Sequence, residues 1–321
     1  MSQPSILIVG CGLAGPILAT FLLLSDTPAA EKPHITILER SPAPRVQGQN
    51  IDIRGAGLTI IRKLGLESTI RAAVTHEEGA SFVDASNRVW AAFAADRSGK
   101  VETGTADVEI MRGRLADICY RRSVSVSEEV QRQGGTGIEY VFGDYLETLE
   151  QGGEKVRVRF AKSGREEEFD VVVGADGLQS RTRKMVFGEA GEEDRVKRIG
   201  MYAAFFSMAK TETDSLWRRW FNAPGRRSLW IRPSDRKDRV SAFVYVINDQ
   251  DERLPEVAKM GHKGVGPQKE LLNEYFRDVG WERERIMREM DESEDFYYDM
   301  VAQVKMERCS KGRIVLLGDA G

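Results

Sequence analysis

The chain has 321 residues, of which 41% are hydrophobic, and its formal net charge is -3. This length is sufficient for a sizeable core and predicts one large domain or two interlocked domains. Because acidic and basic residues are nearly balanced, the composition gives no indication of nucleic-acid binding. The three cysteines are widely spaced and include no C-x-x-C pair. We therefore expect no disulfide framework, no metal site and a reducing, cytoplasmic setting.

The first forty residues have the pattern of a strand, a glycine turn, a helix and a second strand. The apolar run Ile6–Val9 leads into the turn Gly10–Gly15, and an apolar helical stretch extends to Leu24. A second apolar run, His34–Leu38, ends in Glu39. No basic segment precedes these runs and glycines interrupt them, so we expect neither a signal peptide nor a membrane span.

The turn has the spacing G-x-G-x-x-G, which suits a bound pyrophosphate. Gly10 allows a sharp turn, Gly12 allows a phosphate to approach the backbone, and Gly15 allows close packing of helix on strand. Glu39 lies where a carboxylate can accept hydrogen bonds from a ribose diol. The alternative is a glycine-rich turn in another kind of α/β protein. We interpret Cys11 as a small residue in a crowded turn, not as a nucleophile.

The next segments contain candidate charged groups whose roles the spacing leaves open. After a Pro-containing loop, Ser41–Val46, the residues Asp52 and Arg54 alternate with isoleucines in a short predicted strand. They form either a solvated ion pair or part of a cofactor site. Beyond a polar loop, Ser98–Ala106, a helix begins at Arg112, where a cation opposes the helix dipole unless an anion lies opposite it. An ordinary surface arginine is the alternative.

The remaining sequence predicts a change from buried strands to an aromatic-rich sheet and back. The continuous apolar run Phe169–Val173 leads into Asp176-Gly177 and a helix, as expected in a parallel sheet. Aromatic-rich strands then follow over 202–208, 228–231 and 240–246, with tryptophans that either form core or line an apolar pocket. Helices are predicted over 66–74, 256–279 and 281–290. A last buried strand, 313–317, ends in Gly318-Asp319.

Together these motifs resemble those of the single-component flavoprotein monooxygenases, the group A aromatic-ring hydroxylases. The resemblance rests on the glycine turn with Glu39, on Arg112, on Asp176-Gly177-x-x-Ser180-x-x-Arg183 and on Gly318-Asp319-Ala320. It covers essentially the whole chain. The stretch 50–53 and the Gly-Asp-Ala-Gly ending are most similar to the branch that contains the tetracycline-inactivating monooxygenases.

The resemblance implies an α/β fold and a set of cofactor contacts. A Rossmann-like FAD-binding domain is expected from 1–75, 105–185 and 310–321, interleaved with a mostly antiparallel substrate domain from 76–104 and 190–305. The implied FAD contacts are Gly10, Gly12 and Gly15 on the pyrophosphate, Glu39 and Arg40 on the adenosine, Asp52 and Arg54 near the isoalloxazine, Arg112 on the ribityl or pyrophosphate oxygens, Asp319 on the ribityl chain, and Asp176 and Gly177 beside the FAD pyrophosphate and NAD(P)H.

The implied activity is an FAD-dependent, NAD(P)H-using monooxygenation. One oxygen atom of O2 would pass through a flavin C4a-hydroperoxide to a small, aromatic or polyketide-like substrate, and no individual catalytic residue is assigned. In the family, a proline- and glycine-rich turn and a long helix follow Gly318-Asp319, whereas this sequence stops at Gly321. Two alternatives therefore remain open: a catalytically silent remnant, or a flavin reductase or dehydrogenase without oxygen transfer.

Overall fold

A computed structural model describes residues 3–44, 48–97 and 103–321, so parts of the predicted loops Ser41–Val46 and Ser98–Ala106 lie outside the described residues. The helices are α1 (Ala14–Leu23), α2 (Ala56–Lys63), α3 (Glu67–Arg71), α4 (Arg112–Arg132), α5 (Arg181–Phe187), α6 (Glu192–Arg195), α7 (Arg253–Lys259), α8 (Val265–Phe276) and α9 (Arg283–Glu292). The strands are β1 (Ser5–Val9), β2 (His34–Glu39), β3 (Asn50–Asp52), β4 (Gly79–Val83), β5 (Val89–Ala94), β6 (Glu109–Met111), β7 (Ile138–Phe142), β8 (Leu146–Gly152), β9 (Lys155–Phe160), β10 (Glu166–Phe169), β11 (Val171–Gly174), β12 (Val196–Ala209), β13 (Trp217–Ala223), β14 (Arg227–Pro233), β15 (Arg239–Ile247), β16 (Tyr297–Val304), β17 (Ser310–Lys311) and β18 (Ile314–Leu316).

The chain divides into two compact units, and the predicted α/β class is confirmed. The first unit comprises Met1–Arg45, Ala116–Lys197 and Gln303–Gly321, and the second comprises Val46–Leu115 and Arg198–Ala302. The domain limits expected from the sequence stay a prediction. Within the described ranges, no helix is both long enough and apolar enough to cross a membrane.

The first unit is built on a six-stranded sheet with the order β17-β18-β11-β1-β2-β7. Its strands are parallel except β17. Alternate residues of β1 enter different cores, since Leu7 packs in one hydrophobic cluster and Ile8 in another. Both faces of the sheet are thus buried, which explains the continuous apolar runs. The carboxyl ends of β1, β11 and β18 lead directly into the glycine-containing turns.

A buried aspartate holds the turn after β7. Asp144 accepts hydrogen bonds from the backbone N–H groups of Tyr145 at 2.8 Å, Lys162 at 2.8 Å and Ser163 at 3.0 Å. Burial opposes its ionisation, but these donors outweigh burial and lower the pKa of Asp144 from 3.8 to about 2. The backbone N–H of Asp144 in turn donates to the carbonyl of Glu39 at 3.2 Å. This aspartate therefore supports the end of β2.

The second unit contains a seven-stranded sheet with the order β16-β12-β15-β14-β13-β4-β5. Strand β12 pairs with β15, β15 with β14, β14 with β13 and β4 with β5 in antiparallel orientation, whereas β13 and β4 are parallel. The expected mostly antiparallel sheet is thus confirmed. One face packs against α7, α8 and α9 through residues such as Leu229, Leu272 and Met287. A separate antiparallel pair, β3 with β6, forms a short ribbon that precedes α4. We refer to this pair as the β3–β6 ribbon.

Two predicted helices require correction, and one strand was missing from the predicted elements. The predicted helix 256–279 is divided into α7 and α8 by a 3-10 turn, Gly261–Gly264, because Gly261 adopts a left-handed backbone conformation with φ of 55°. The predicted helix 66–74 ends at Arg71. Strand β13 was not predicted, because its arginines occupy both faces and conceal the alternation that identifies a strand.

Candidate functional site

The glycine turn after β1 is crowded at its ends and open in its middle. Gly10 has φ of 113°, and a Cβ atom built on it would lie 2.4 Å from the carbonyl oxygen of Ala175. A Cβ atom on Gly15 would lie 2.1 Å from the carbonyl oxygen of Gly10, whereas one on Gly12 would have no heavy atom within 4 Å. The turn therefore leaves free space beside the Gly12 backbone, at the start of α1.

Glu39 is tied to this turn by its side chain. Its Oε2 accepts a 2.9 Å hydrogen bond from the Cys11 N–H, and its Oε1 accepts a 2.8 Å bond from the Ser41 N–H. Glu39 is only 8% exposed, whereas the next residue, Arg40, is exposed. The carboxylate thus fixes the geometry of the turn, a task that the sequence did not reveal.

The thiol within the turn is poorly suited to nucleophilic chemistry. Burial, together with the charge of Glu39, raises the pKa of Cys11 from 9.0 to about 12. Because the thiolate is the reactive form of cysteine, Cys11 is held in its unreactive state at neutral pH. This agrees with its interpretation as a packing residue.

Asp176 lies after β11 and organises the start of α5. Its carboxylate accepts hydrogen bonds from the Ser180 hydroxyl at 2.5 Å, from the Thr182 N–H at 2.9 Å and from the Thr182 hydroxyl at 3.0 Å. Ser180 is the N-cap residue and accepts a 2.9 Å bond from the Arg183 N–H. Gly177, with φ of 80°, has open space at its Cβ position. Asp176 therefore has a structural role besides any contact with a ligand.

Arg183 joins this turn to the last turn of the chain. Its side chain is fully buried and donates to the Leu178 carbonyl at 2.7 Å, to the Ala320 carbonyl at 2.9 Å and to Glu192 at 2.7 Å. The sequence identified Arg183 as part of a motif but gave it no role. No local signal in the sequence showed that Arg183 is buried, because arginine is usually exposed and the partners of Arg183 come from other segments of the chain.

Asp319 lies in the 3-10 turn Gly318–Ala320 and is exposed. A Cβ atom on Gly318 would lie 3.3 Å from the Cβ of Ala14, so this turn is adjacent to the start of α1. Within the first unit, the turns that follow β1, β11 and β18 are thus neighbours. Open α/β sheets bind ligands at this carboxyl end of the strands.

The second unit presents Asp52, Arg54 and Arg112 on or beside the β3–β6 ribbon. Asp52 lies opposite Glu109 in the strand register of the ribbon, and the Arg112 N–H donates to the Gln49 carbonyl at 2.9 Å. Arg54 donates from Nη2 to Asp52 at 2.9 Å, and both side chains are 32% exposed. The ion pair considered from the sequence is therefore present, and it leaves part of each charged group accessible.

One group of aromatic residues in the second unit lies on the sheet face opposite the helices. Trp230 alternates with the core residues Leu229 and Ile231 and is only partly buried. Trp220 stacks on Phe82, with ring centroids 4.6 Å apart, and contacts Trp230 in a tilted arrangement at 4.0 Å. These rings form a continuous, partly exposed aromatic surface and do not belong to the helix-covered core.

A parallel sheet with this glycine turn and acidic strand end defines a dinucleotide-binding α/β protein. Residues 3–321 match the family described as FAD binding domain, and the chain belongs to this family. It is an oxidoreductase of the flavin-dependent monooxygenase class, which confirms the resemblance found in the sequence.

Individual relatives agree with this assignment. The chain is 37% identical to the FAD-dependent monooxygenase asL6 of Sarocladium schorii, over 98% of this chain and 73% of the relative. It is 30% identical to the flavin-dependent monooxygenase eupH of a Phoma species, over 100% of this chain and 71% of the relative. The crystal structure of tetracycline destructase Tet(51) is similar with a TM-score of 0.77 and 27% identity, over 100% of this chain and 76% of that one.

Proposed function

We propose that this flavin-dependent monooxygenase uses NAD(P)H and O2 to insert one oxygen atom into a planar, aromatic or polyketide-like small molecule. The observation that carries the cofactor assignment is the open space at Gly12 between the crowded positions Gly10 and Gly15. A pyrophosphate fits this cradle because only hydrogen occupies the Gly12 side-chain position.

The start of α1 supports the same placement. Among the described residues, no side chain caps α1 and its first turn contains no acidic residue. Its free backbone N–H groups and the positive end of its dipole would favour the FAD pyrophosphate. Glu39 would accept hydrogen bonds from the adenosine ribose, with Arg40 nearer the adenine.

The other contacts are proposed on chemical grounds for each unit separately. In the first unit, Asp176, Gly177 and the exposed Asp319 would face the pyrophosphate and ribityl groups. In the second unit, Arg112 would neutralise anionic oxygens, and Asp52 with Arg54 would lie near the isoalloxazine edge. FAD supplies the redox chemistry, by the C4a-hydroperoxide route expected above, and the protein binds and orients it.

The proposed substrate class rests on the aromatic surface of the second unit. The Phe82, Trp220 and Trp230 rings form a partly exposed apolar surface against which a planar substrate can pack. Tet(51), which is named as a tetracycline destructase, is similar over the whole chain and supports a polyketide-like substrate. The free thiols, including the exposed Cys309, are consistent with the proposed cytoplasmic setting.

The cofactor assignment is tested by titrating FAD into wild type, Glu39→Ala and Arg112→Ala and following flavin fluorescence. Each side chain would form charge-assisted hydrogen bonds of about 1.5–3 kcal/mol, so each variant should bind FAD about tenfold more weakly or worse. The exposed Glu150→Ala is the control for Glu39, and Arg132→Ala at the other end of α4 is the control for Arg112. Melting temperatures are recorded in parallel. Unchanged FAD affinity in both site variants would refute the assignment.

The reaction is tested by measuring NAD(P)H consumption, O2 uptake, peroxide and product mass with a panel of phenolic and polyketide substrates. Substrate-dependent NAD(P)H oxidation with a product 16 mass units heavier is expected for single-oxygen insertion. NAD(P)H oxidation without any oxygenated product would favour a reductase or dehydrogenase. FAD binding with no NAD(P)H oxidation would favour a silent protein.

A further inference from the structure

The second unit buries four charged side chains in one cluster, which we call the buried charge network: Glu77, Glu109, Arg218 and Arg232. Arg232 of β14 donates from Nε to Glu77 at 3.0 Å and from Nη2 to Glu109. Arg218 of β13 lies with its Nε 3.7 Å from Glu77. The Glu77 side chain is 0% exposed and that of Arg232 is 11% exposed. Arg232 thus bridges two carboxylates that water hardly reaches.

By itself, this arrangement of buried charges is expected to add little to the free energy of unfolding. Moving charges out of water costs several kcal/mol per ion, and well-packed apolar residues often stabilise as much as a buried ion pair does. Burial raises the pKa of Glu77, although Arg232 opposes this shift, and burial also lowers the pKa of Arg218. The network therefore keeps charges that burial disfavours in a unit that already has an extensive apolar core, which points to a role in fixing geometry.

The network is connected to the β3–β6 ribbon through Glu109. Glu109 lies on β6, three residues before Arg112, and its Oε1 accepts hydrogen bonds from Asn50 of β3 at 3.0 Å and from Thr75 at 2.7 Å. Asn50 also donates to the Pro233 carbonyl, next to Arg232, at 3.3 Å. Both strands of the ribbon are therefore fastened to β14 of the large sheet by charged or polar contacts.

A second set of contacts connects the network to the end of β3 through residues 103–105. The Thr105 hydroxyl donates to Glu77 at 2.7 Å, and Arg218 donates to the Gly104 carbonyl at 3.2 Å. Arg54, which is paired with Asp52, donates to the Thr103 carbonyl at 2.8 Å. Residues 103–105 thus link Glu77 and Arg218 of the network to Arg54, which follows β3.

We propose that Arg232 and Glu109 are positioning residues that fix the β3–β6 ribbon and thereby orient Arg112 and Asp52 toward FAD. This inference rests on the proposed function of Arg112 and Asp52. Its consequence is that breaking the network impairs FAD binding beyond what the loss of stability explains.

The test compares Arg232→Met with Arg219→Met. Arg219 lies on the same sheet, and its side chain is similarly enclosed, at 8% exposed against 11% for Arg232. It pairs with Asp214 at 2.5 Å and Glu282 at 2.7 Å on the face away from the network. FAD dissociation constants, the visible absorption bands of bound FAD and melting temperatures are measured for each. Arg232→Met should weaken FAD binding about tenfold and shift the bands, whereas Arg219→Met should lower the melting temperature with FAD affinity within about twofold of wild type. Equal effects of both variants on FAD would overturn the inference.

Arg232→Lys and Arg112→Ala distinguish a folding defect from the loss of the positioning role. If Arg232→Met does not fold, Arg232→Lys is measured, because lysine keeps the charge but lacks the planar fork that reaches Glu77 and Glu109 together. Unchanged affinity and spectrum in Arg232→Lys would then overturn the inference. If Arg112→Ala weakens FAD binding and the Arg232 variant does not, the positioning role alone is wrong. If Arg112→Ala has no effect, the proposed role of Arg112 fails, and the positioning role fails with it.

Discussion

Gly12 and Gly15 lie three residues apart in one turn, yet an added methyl group should affect them in opposite ways. In Gly15→Ala the new Cβ atom would lie 2.1 Å from the Gly10 oxygen and 3.2 Å from the Ile8 side chain. Since the first contact is with backbone, α1 must move away from β1. We expect a loss of about 1–3 kcal/mol in the free energy of unfolding, as for other overpacked sites.

Gly12→Ala should leave the fold intact and weaken the binding of FAD. No heavy atom lies within 4 Å of the Cβ position, and the backbone of Gly12 is not in the left-handed region. The free energy of unfolding without FAD should therefore change by less than about 0.5 kcal/mol. The methyl group would, however, occupy the space where a pyrophosphate approaches. Losing charge-assisted hydrogen bonds of about 1.5–3 kcal/mol should weaken FAD binding about tenfold or more.

The assay combines urea unfolding of the FAD-free variants with FAD titration of the folded proteins. Gly266→Ala is the control, because Gly266 lies in α8 and also has no heavy atom within 4 Å of its Cβ position. This control should match wild type in FAD affinity. If wild type binds FAD and Gly12→Ala binds it equally well, the reasoning that places the pyrophosphate beside Gly12 is refuted.

Two further predictions concern the supports of the turns. Arg183→Met removes a buried partner of Glu192 and releases the turn Gly318–Ala320, so it should cost about 3–5 kcal/mol, whereas the exposed Arg181→Met on the same helix should cost under about 1 kcal/mol in urea unfolding. A loss below that of the control would contradict the structural role of Arg183. Asp144→Asn should be less stable than wild type at neutral pH. Because the pKa of Asp144 is lowered from 3.8 to about 2, this difference should be fully present above about pH 4 and vanish as the pH falls through about 2. If calorimetry shows a stability difference that does not change between pH 2 and pH 5, the ionised Asp144 carboxylate is not its source.

The local sequence determined the parts of the fold that depend on near neighbours. Strands β1, β2, β11 and β18 were predicted because each is a short, mostly apolar run whose residues are largely buried. The glycine turn was recognisable because the steric need at Gly10 and Gly15 leaves no alternative residue. The family also followed from the order of such short motifs, and the comparison with known proteins confirmed it.

The sequence was less informative where a residue serves a distant partner. Strand β13 was missed because Arg218 and Arg219 face opposite sides of the sheet, each toward its own buried carboxylate. Asp176 was assigned only to a ligand, although its carboxylate also organises the start of α5. In each case the residue types are compatible with the fold, but the sequence does not identify the group that each side chain contacts.

The sequence by itself determined where the chain turns and which runs are buried, because glycine sterics and apolar burial act over a few residues. Only the tertiary structure decided what holds the turns and the ribbon in place. Arg183 meets the Ala320 carbonyl across 137 positions of the chain, and Arg232 meets Glu109 across 123. A buried charge is stable only when folding brings such a partner to it, and no local pattern specifies which of the many arginines and carboxylates that partner will be.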